Sequence, residues 1–123
     1  MQKVLWFSRH DMTDVQFEDL TKIYGEVEIK KVNQTVSSAK EVAELADDCD
    51  ILAVVLPPNI LADLVNPRVN SKPVIRAQNL RQRTGRKIIN TATGLEEDEY
   101  EFVHDYWERV IKIEVVTERL SSV

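Results

Sequence analysis

Three polar residues with hydrogen-bond donors stand together near the start of the chain: Ser8, Arg9 and His10. They follow a short apolar run and precede Thr13-Asp14-Val15-Gln16, which has the form of a capping box at a helix start. A helix N-terminus offers free N–H groups and positive potential to an anion. The spacing therefore predicts an anion-binding turn in which Ser8, Arg9 and His10 contact the ligand.

This turn contains no glycine, so it is neither a P-loop nor a dinucleotide-binding fingerprint. Its backbone cannot approach a phosphate as closely as a glycine loop does, and side chains would have to make the contacts. An alternative interpretation is structural: Ser8 caps the turn and Arg9 pairs with Asp11.

A second group of candidate residues lies in a basic segment. No acidic residue occurs between Leu64 and Leu95, although the net charge of the chain is −5. The cations of the segment are Arg68, Lys72, Arg76, Arg81, Arg83, Arg86 and Lys87. Arginine forks match phosphate oxygens bidentately, and Gln or Asn can read an adenine edge. The predicted ligand-binding residues of this segment are Arg76, Gln78, Asn79 and Arg81.

The same segment has other interpretations. It could be a solvated basic loop that faces the acidic stretch from Glu96 to Glu101, or it could face a neighbouring subunit. Asn59, which follows the apolar run Asp50 to Leu56, is a further candidate for contact with a base or a phosphate. It could instead cap the helix that follows it.

Apolar runs, alternation and capping signals predict the elements that position these residues. We predict strands at Lys3–Ser8, Glu26–Val32, Asp50–Leu56 and Pro73–Ala77, and helices after Thr13, after Ser38 and at Ile60–Val65. Beyond them we predict a hairpin around Thr84-Gly85 within Leu80–Asn90, a helix at Glu96–Glu108 and a last strand at Ile111–Thr117. Gly25 is expected to end the first helix, and the strand at Glu26–Val32 is expected near an edge of the sheet.

This alternation of strands and helices predicts one α/β domain over residues 1–123, a Rossmann-like three-layer sandwich with a mostly parallel sheet. Val4–Phe7 and Ile51–Leu56 should be its adjacent, buried central strands. Ligands of such sheets bind outside the carboxyl ends of the strands. We therefore expect the turn at Ser8–His10, Asn59 and the segment after Arg76 to meet at one rim.

Composition excludes several kinds of site. The single cysteine, Cys49, allows no internal disulfide, and its acidic neighbours argue against a nucleophilic thiol. No His/Cys spacing suits zinc, and the stretch Asp47 to Asp50 is a turn rather than a metal site, so neither a metal nor a cofactor is predicted. His104 is expected on the surface. The apolar run Val4–Phe7 is too short for a signal peptide or a membrane span, and we expect a cytoplasmic protein without a membrane partner.

The first part of the chain resembles a known family. A first strand that ends in Ser-x-His and a helix that opens with Met-Thr-x-x-Gln are similar to small stand-alone proteins of type III CRISPR loci, which look like minimal CRISPR-associated Rossmann fold (CARF) proteins. The matching residues are Phe7, Ser8, His10, Met12, Thr13 and Gln16. The similarity covers about the first 30 residues and, more loosely, Leu56-Pro57. The same pattern would suit a phage or plasmid protein.

The resemblance implies a homodimer that binds cyclic oligoadenylate across its two-fold axis, with Ser8 and His10 at the ligand. Some proteins of this kind sequester the ring and others cleave it without a metal, as ring nucleases. Cleavage would use His10 as general acid or base and Arg9 or Arg76 to stabilise developing charge. Two other functions stay open: a nucleic-acid-binding module that uses the basic segment 68–87, and a non-catalytic interaction protein of a mobile element.

Overall fold

Two buried strands, Gln2–Phe7 (β1) and Ile51–Val54 (β3), pair in parallel at the centre of the sheet, as the sequence predicts. They belong to a computed structural model that describes residues 1–114 and 116–121. Within these residues the chain is an α/β protein with a five-stranded, mostly parallel sheet and three helices. The strand order is Val27–Val32 (β2), β1, β3, Val74–Ile89 (β4) and Glu96–Arg109 (β5), and among the described strands only β4 and β5 pair antiparallel.

The remaining elements follow in chain order, and the first four of them lie close to their predicted positions. They are α1 (Asp14–Tyr24), β2 (Val27–Val32), α2 (Ala39–Leu45), α3 (Pro58–Leu64), β4 (Val74–Ile89) and β5 (Glu96–Arg109). Strand β2 lies at the edge of the sheet, which confirms the expectation from its alternating pattern. Within the described residues, no helix is long and apolar enough to span a bilayer.

Helix α1 starts with the capping box that the sequence predicts. The Gln16 amide donates to Thr13 Oγ1 at 3.1 Å, and the Thr13 amide donates to Gln16 Oε1 at 2.9 Å. The helix ends at Gly25, whose φ of 78° suits a residue without a Cβ. Local sequence therefore fixes both ends of α1, and with them the position of the turn that precedes it.

Removing the cap should destabilise the protein measurably. We expect Thr13→Ala to lower the free energy of unfolding by about 1 kcal/mol, because the Gln16 backbone amide loses its acceptor, Thr13 Oγ1. Thr21→Ala is the matched control. Among the described residues, the Thr21 hydroxyl donates only to the Glu18 carbonyl within the helix, and alanine is the better helix former. Urea denaturation of both variants measures the difference, and equal losses would contradict a role of the cap.

The two faces of the sheet bury different clusters of side chains. Leu5, Phe7, Leu52 and Val54 pack with residues of α2 and α3, including Val42 and Leu64. The alternate residues Val4, Trp6, Ile51 and Ala53 pack with Leu20 of α1 and Trp107 of β5. This alternation is what strands buried on both faces require.

The last third of the chain differs from the sequence prediction. Residues Glu96–Arg109 form strand β5 and not a helix, and β4 continues from Val74 to Ile89 without the predicted turn at Thr84-Gly85. Gly85, with φ of 86°, lies instead at an irregularity in the β4–β5 register between Arg83 and Lys87. The turn lies between Ile89 and Glu96. The predicted strand at Ile111–Thr117 is absent from residues 111–114 and 116–117, and residue 115 lies outside the described residues.

The side chain of His104 is buried, which corrects the expectation of a surface histidine. Its side chain is 3% exposed, its Nε2 lies 2.8 Å from Asp19 Oδ2, and its ring packs on Trp107. Trp107 in turn donates from Nε1 to the Gln16 carbonyl at 3.0 Å and packs edge-on against Trp6. These contacts fasten β5 to α1.

Candidate functional site

The chain leaves the two central strands in opposite directions. From β1 it passes through α1 to β2 on one side, and from β3 it passes through α3 to β4 on the other. The loops after β1 and β3 therefore diverge and leave a crevice at the carboxyl ends of the strands, where ligands of open α/β sheets bind. A cleft of about 320 Å³ lies there, lined by the turns that follow β1, β2 and β3.

The turn after β1 is fixed on both sides. Ser8 is buried, and its Oγ accepts a hydrogen bond from the His10 amide at 3.1 Å. The Trp6 indole Nε1 donates to the His10 carbonyl at 2.8 Å. Ser8 thus caps the turn, as the structural interpretation of the sequence holds, while the exposed side chains of Arg9 and His10 line the cleft together with Ser8.

Arg9 is not neutralised by its neighbour Asp11. The Asp11 carboxylate instead forms an ion pair with Lys31, whose hydrogen bond lowers the pKa of Asp11. Among the residues that the structure describes, Arg9 forms no ion pair and no side-chain hydrogen bond. The cleft therefore holds an uncompensated positive charge at its mouth, which attracts anions.

The loop after β2 supplies three further polar residues that the sequence analysis missed: Asn33, Gln34 and Thr35. All three are exposed, and none of their side chains makes a hydrogen bond to another described residue. The sequence does contain a pattern that could have identified them. Three consecutive polar residues with donors follow a parallel strand, at the same rim as Ser8. Their amides and hydroxyl are available to a ligand.

The remaining residues that line the cleft are apolar. They come from the ends of β1 and β2, from the loops after β2 and β3 and from the start of α3, and together they form an apolar wall: Phe7, Val32, Val36, Val55, Leu56, Pro57 and Ile60. An apolar wall with a few convergent polar groups is the usual composition of a small-molecule site. A planar base could pack against the wall while a phosphate group faces Arg9.

The predicted site residues on β4 lie outside the cleft lining. Arg76 is on the same rim, one residue beyond the pairing of Ile75 with Ala53, but its Nε donates to Glu108 Oε1 at 2.5 Å. Gln78 donates to the same carboxylate oxygen at 2.7 Å, and these two bonds lower the pKa of Glu108. For Arg76 to contact a ligand, its side chain would have to break the ion pair with Glu108.

Asn79 and Arg81 lie farther along β4, and neither lines the cleft. The Arg81 guanidinium lies over the ring of Tyr100, 3.9 Å from its centroid. Asn59 lies exposed in the first turn of α3 and also lines no part of the cleft. It does not cap that helix, because Pro57 occupies the N-cap position without a side-chain bond.

The basic segment pairs with acidic residues of its own chain. Arg83 and Lys87 both bind Asp98, at 3.4 Å and 2.6 Å, and the hydrogen bond from Lys87 lowers the pKa of Asp98. Gln82 donates to Glu101 at 3.4 Å. These contacts agree with the interpretation in which the basic segment faces the stretch from Glu96 to Glu101. The part of the segment that makes them is a strand, however, and not a loop.

Other reactive groups do not form a site in the described part of the chain. Cys49 is buried, and burial raises the pKa of its thiol with a further contribution from the charge of Asp48. No three His, Cys, Asp or Glu side chains come together there in a way that could hold a metal ion. No protein-family model matches the chain, and no similar protein is found among curated proteins or solved structures.

Proposed function

We propose that the cleft at the carboxyl ends of β1, β2 and β3 binds a phosphate-rich nucleotide, and that cyclic oligoadenylate is the ligand class to test first. The observation that carries the proposal is the unpaired Arg9 beside Ser8 and His10, on a turn fixed at a topological switch point. The choice of cyclic oligoadenylate rests on the resemblance of the first 30 residues to CARF-like proteins.

The proposed fold is a Rossmann-like three-layer sandwich. Separate clusters of buried residues on the two sheet faces support it, with α1 contributing to one and with α2 and α3 contributing to the other. The strand order 2-1-3-4-5 supports it as well, because the flavodoxin-like sheets that bind nucleotides share this order. The antiparallel β5 is an addition at the edge.

Recognition would divide among three parts of the cleft. Arg9 would bind phosphate oxygens with its guanidinium, and Asn33 and Gln34 would donate to and accept from a base edge. The apolar wall around Leu56 and Pro57 would cover the base. No glycine loop is needed, because the contacts come from side chains.

Cleavage of the bound ring is a second step that the same geometry could support. The ribose 2′-oxygen would attack the adjacent 3′-phosphorus and form a 2′,3′-cyclic phosphate, while the bond from phosphorus to the 5′-oxygen breaks. His10 would accept the proton from the 2′-hydroxyl or donate one to the leaving 5′-oxygen. Arg9 would stabilise the negative charge that develops on the phosphoryl oxygens.

The charge distribution disfavours the nucleic-acid-binding alternative. The five cations of β4 lie beside the seven carboxylates of β5. A nucleic acid, double- or single-stranded, would therefore face negative as well as positive charges on this surface. An interaction protein without catalysis remains the second candidate function, and the exposed β4–β5 strands favour it. We further propose that the protein is a cytoplasmic homodimer.

A thermal-shift titration tests the proposal. Purified protein is incubated with cyclic tri-, tetra- and hexa-adenylate and, as controls, with linear oligoadenylate and inorganic phosphate. We expect the melting temperature to rise with at least one cyclic ligand and less with the controls, because binding to the folded state alone stabilises it. The absence of a shift with every cyclic ligand at millimolar concentration would contradict cyclic oligoadenylate binding.

Product analysis of the same incubations tests catalysis. If the ring is cleaved, we expect His10→Ala to slow cleavage by about a hundredfold or more, since general acid–base catalysis contributes about 10²–10⁴-fold. Affinity should change less than tenfold. Chromatography of the products formed in the presence of EDTA provides the cleavage rate. An unchanged cleavage rate in the variant would show that His10 is not the general acid or base.

A further inference from the structure

The backbone of His10 is held at both of its polar groups. Its amide donates to Ser8 Oγ at 3.1 Å, and its carbonyl accepts a hydrogen bond from Trp6 Nε1 at 2.8 Å. We call residues 8–11, which follow β1, the cleft turn. The side chains of Arg9 and His10 are exposed, line the cleft and make no hydrogen bond to another described residue. The direction in which they leave the turn therefore depends on these two backbone bonds.

Trp6 reaches the cleft turn from the core of the protein. Its side chain is buried in the cluster on the sheet face that α1 and β5 cover, and it does not line the cleft. A phenylalanine would also fill an apolar cluster, but it has no hydrogen-bond donor. A buried indole N–H needs an acceptor, and the acceptor of Trp6 lies in the turn that carries the candidate ligand-binding side chains.

Strand β5 holds the ring of Trp6 in place. The Trp107 ring packs edge-on against it, with 6.0 Å between the ring centroids. Trp107 is itself fixed, because its Nε1 donates to the Gln16 carbonyl at 3.0 Å, and Gln16 forms the capping box with Thr13. The two tryptophans, which are the only ones in the sequence, thus connect β5 with the cleft turn and with the start of α1.

The other contact of the cleft turn is weaker. Asp11 forms an ion pair with Lys31 of β2, in which the two side chains are 86% and 40% exposed. Exposed ion pairs contribute little to stability, and this one holds a side chain of the turn and not its backbone. The bond from the buried Trp6 is therefore the contact from outside the turn that fixes its backbone.

We infer that Trp6 is a positioning residue of the cleft. Its bond to the His10 carbonyl fixes the turn so that the Arg9 guanidinium and the His10 imidazole face the same ligand. This role rests on the proposed function of the cleft as a nucleotide site. Affinity gains from side chains that are held in the binding geometry before the ligand arrives. Strand β5, which lies outside the cleft, contributes to that geometry because Trp107 orients the Trp6 ring.

Replacement of Trp6 by benzothienylalanine tests the bond itself. This isostere of tryptophan has sulfur in place of the indole N–H, so it keeps the ring and loses the donor. Without ligand, we expect the His10 amide to exchange with solvent about two- to tenfold faster in NMR spectra, the effect of losing one hydrogen bond. The same replacement at Trp107 is the matched control. It removes the bond to Gln16 but keeps the ring that packs on Trp6, so exchange at His10 should not change.

Nucleotide binding separates a positioning role from a purely structural one. Affinities for cyclic tri-, tetra- and hexa-adenylate are measured by isothermal titration calorimetry. For each ring that the parent protein binds, we expect the Trp6 isostere to weaken binding about two- to tenfold and the Trp107 isostere to leave it unchanged. The dependence of affinity on salt concentration should not change, because Arg9 is retained. Since coupling is reciprocal, bound ring should slow exchange of the Trp6 indole N–H more than that of Trp107.

Thermal melting of each variant shows whether it folds, and Trp6→Phe with Trp107→Phe as its control repeats the comparison if an isostere variant does not. Unchanged exchange at His10 would overturn the inference. So would an unchanged affinity of the Trp6 variant, or equal losses of affinity in the Trp6 and Trp107 variants. If the parent protein binds none of these rings, the proposed function fails instead, and exchange at His10 still decides whether Trp6 fixes the turn.

Discussion

Trp107→Ala is expected to lower the free energy of unfolding by about 3–5 kcal/mol, the usual loss when a buried aromatic side chain is removed. Trp107 is 9% exposed, packs edge-on against Trp6 at 6.0 Å between ring centroids, and supports the buried ring of His104. Its removal also leaves the Gln16 carbonyl without the indole donor at the start of α1. Urea denaturation followed by circular dichroism provides the measurement.

Two controls separate packing from the hydrogen bond. Trp107→Phe keeps most of the apolar volume but removes the indole donor. It should therefore lower the free energy of unfolding by less than Trp107→Ala does. Phe102→Ala removes an exposed aromatic side chain from the same strand and should change stability by less than about 0.5 kcal/mol. If Trp107→Ala lowered the free energy of unfolding no more than Phe102→Ala does, Trp107 would not hold β5 against α1 as described.

Local signals were sufficient to predict the first half of the fold. The capping box at Thr13, the glycine at position 25 and the uninterrupted apolar runs of β1 and β3 act over a few residues. They do not depend on distant partners. The order of β1 and β3 as neighbours follows from their burial on both faces, and the pairing of Val4 with Ile51 confirms it.

The second half could not be predicted in the same way because long-range pairing decides it. Val103, Tyr106, Trp107 and Val110 have the spacing of a helix face, and the acids before them suit a first helical turn. The same segment also alternates Tyr100, Phe102 and His104, which is a strand pattern. Pairing with the cationic β4, which is distant in sequence from most of β5, favours the strand.

The sequence predicted only part of the candidate site, again because long-range strand pairing decides the rest. Ser8, Arg9 and His10 follow directly from a strand end and a capped helix, and the structure places all three in the cleft lining. Arg76, Gln78, Asn79 and Arg81 were expected there because β4 was predicted to end at Ala77. Since β4 instead continues to Ile89 beside β5, the side chains of Arg76 and Gln78 bind Glu108, and Arg81 lies over Tyr100.

Arg9→Ala should weaken nucleotide binding by about ten- to a hundredfold. A hydrogen bond to a charged group contributes about 1.5–3 kcal/mol, and a factor of ten in affinity corresponds to about 1.4 kcal/mol. The variant should also show a weaker dependence of affinity on salt concentration, because it lacks one phosphate-binding cation. Stability should not change, since the Arg9 side chain is exposed and makes no contact with another described charge.

Arg86→Ala is the matched control for charge. Arg86 is an exposed arginine of β4 that forms no ion pair with a described residue and does not line the cleft. The two variants change the net charge equally, so a general electrostatic effect would weaken binding in both. Isothermal titration calorimetry with whichever cyclic oligoadenylate raises the melting temperature most measures the affinities. Equal affinities of Arg9→Ala and the parent protein would remove Arg9 from the site.

The proposal that the cleft is a nucleotide site is tested most directly by a two-dimensional ¹H–¹⁵N spectrum of the labelled protein, recorded during titration with cyclic tetra-adenylate and then with cyclic hexa-adenylate. We predict that the largest shifts fall on the backbone amides of Ser8–His10, Asn33–Val36 and Val55–Leu56, which line the cleft. Shifts concentrated instead on Arg81–Lys87 of β4, or no shifts at saturating ligand, would contradict the proposal.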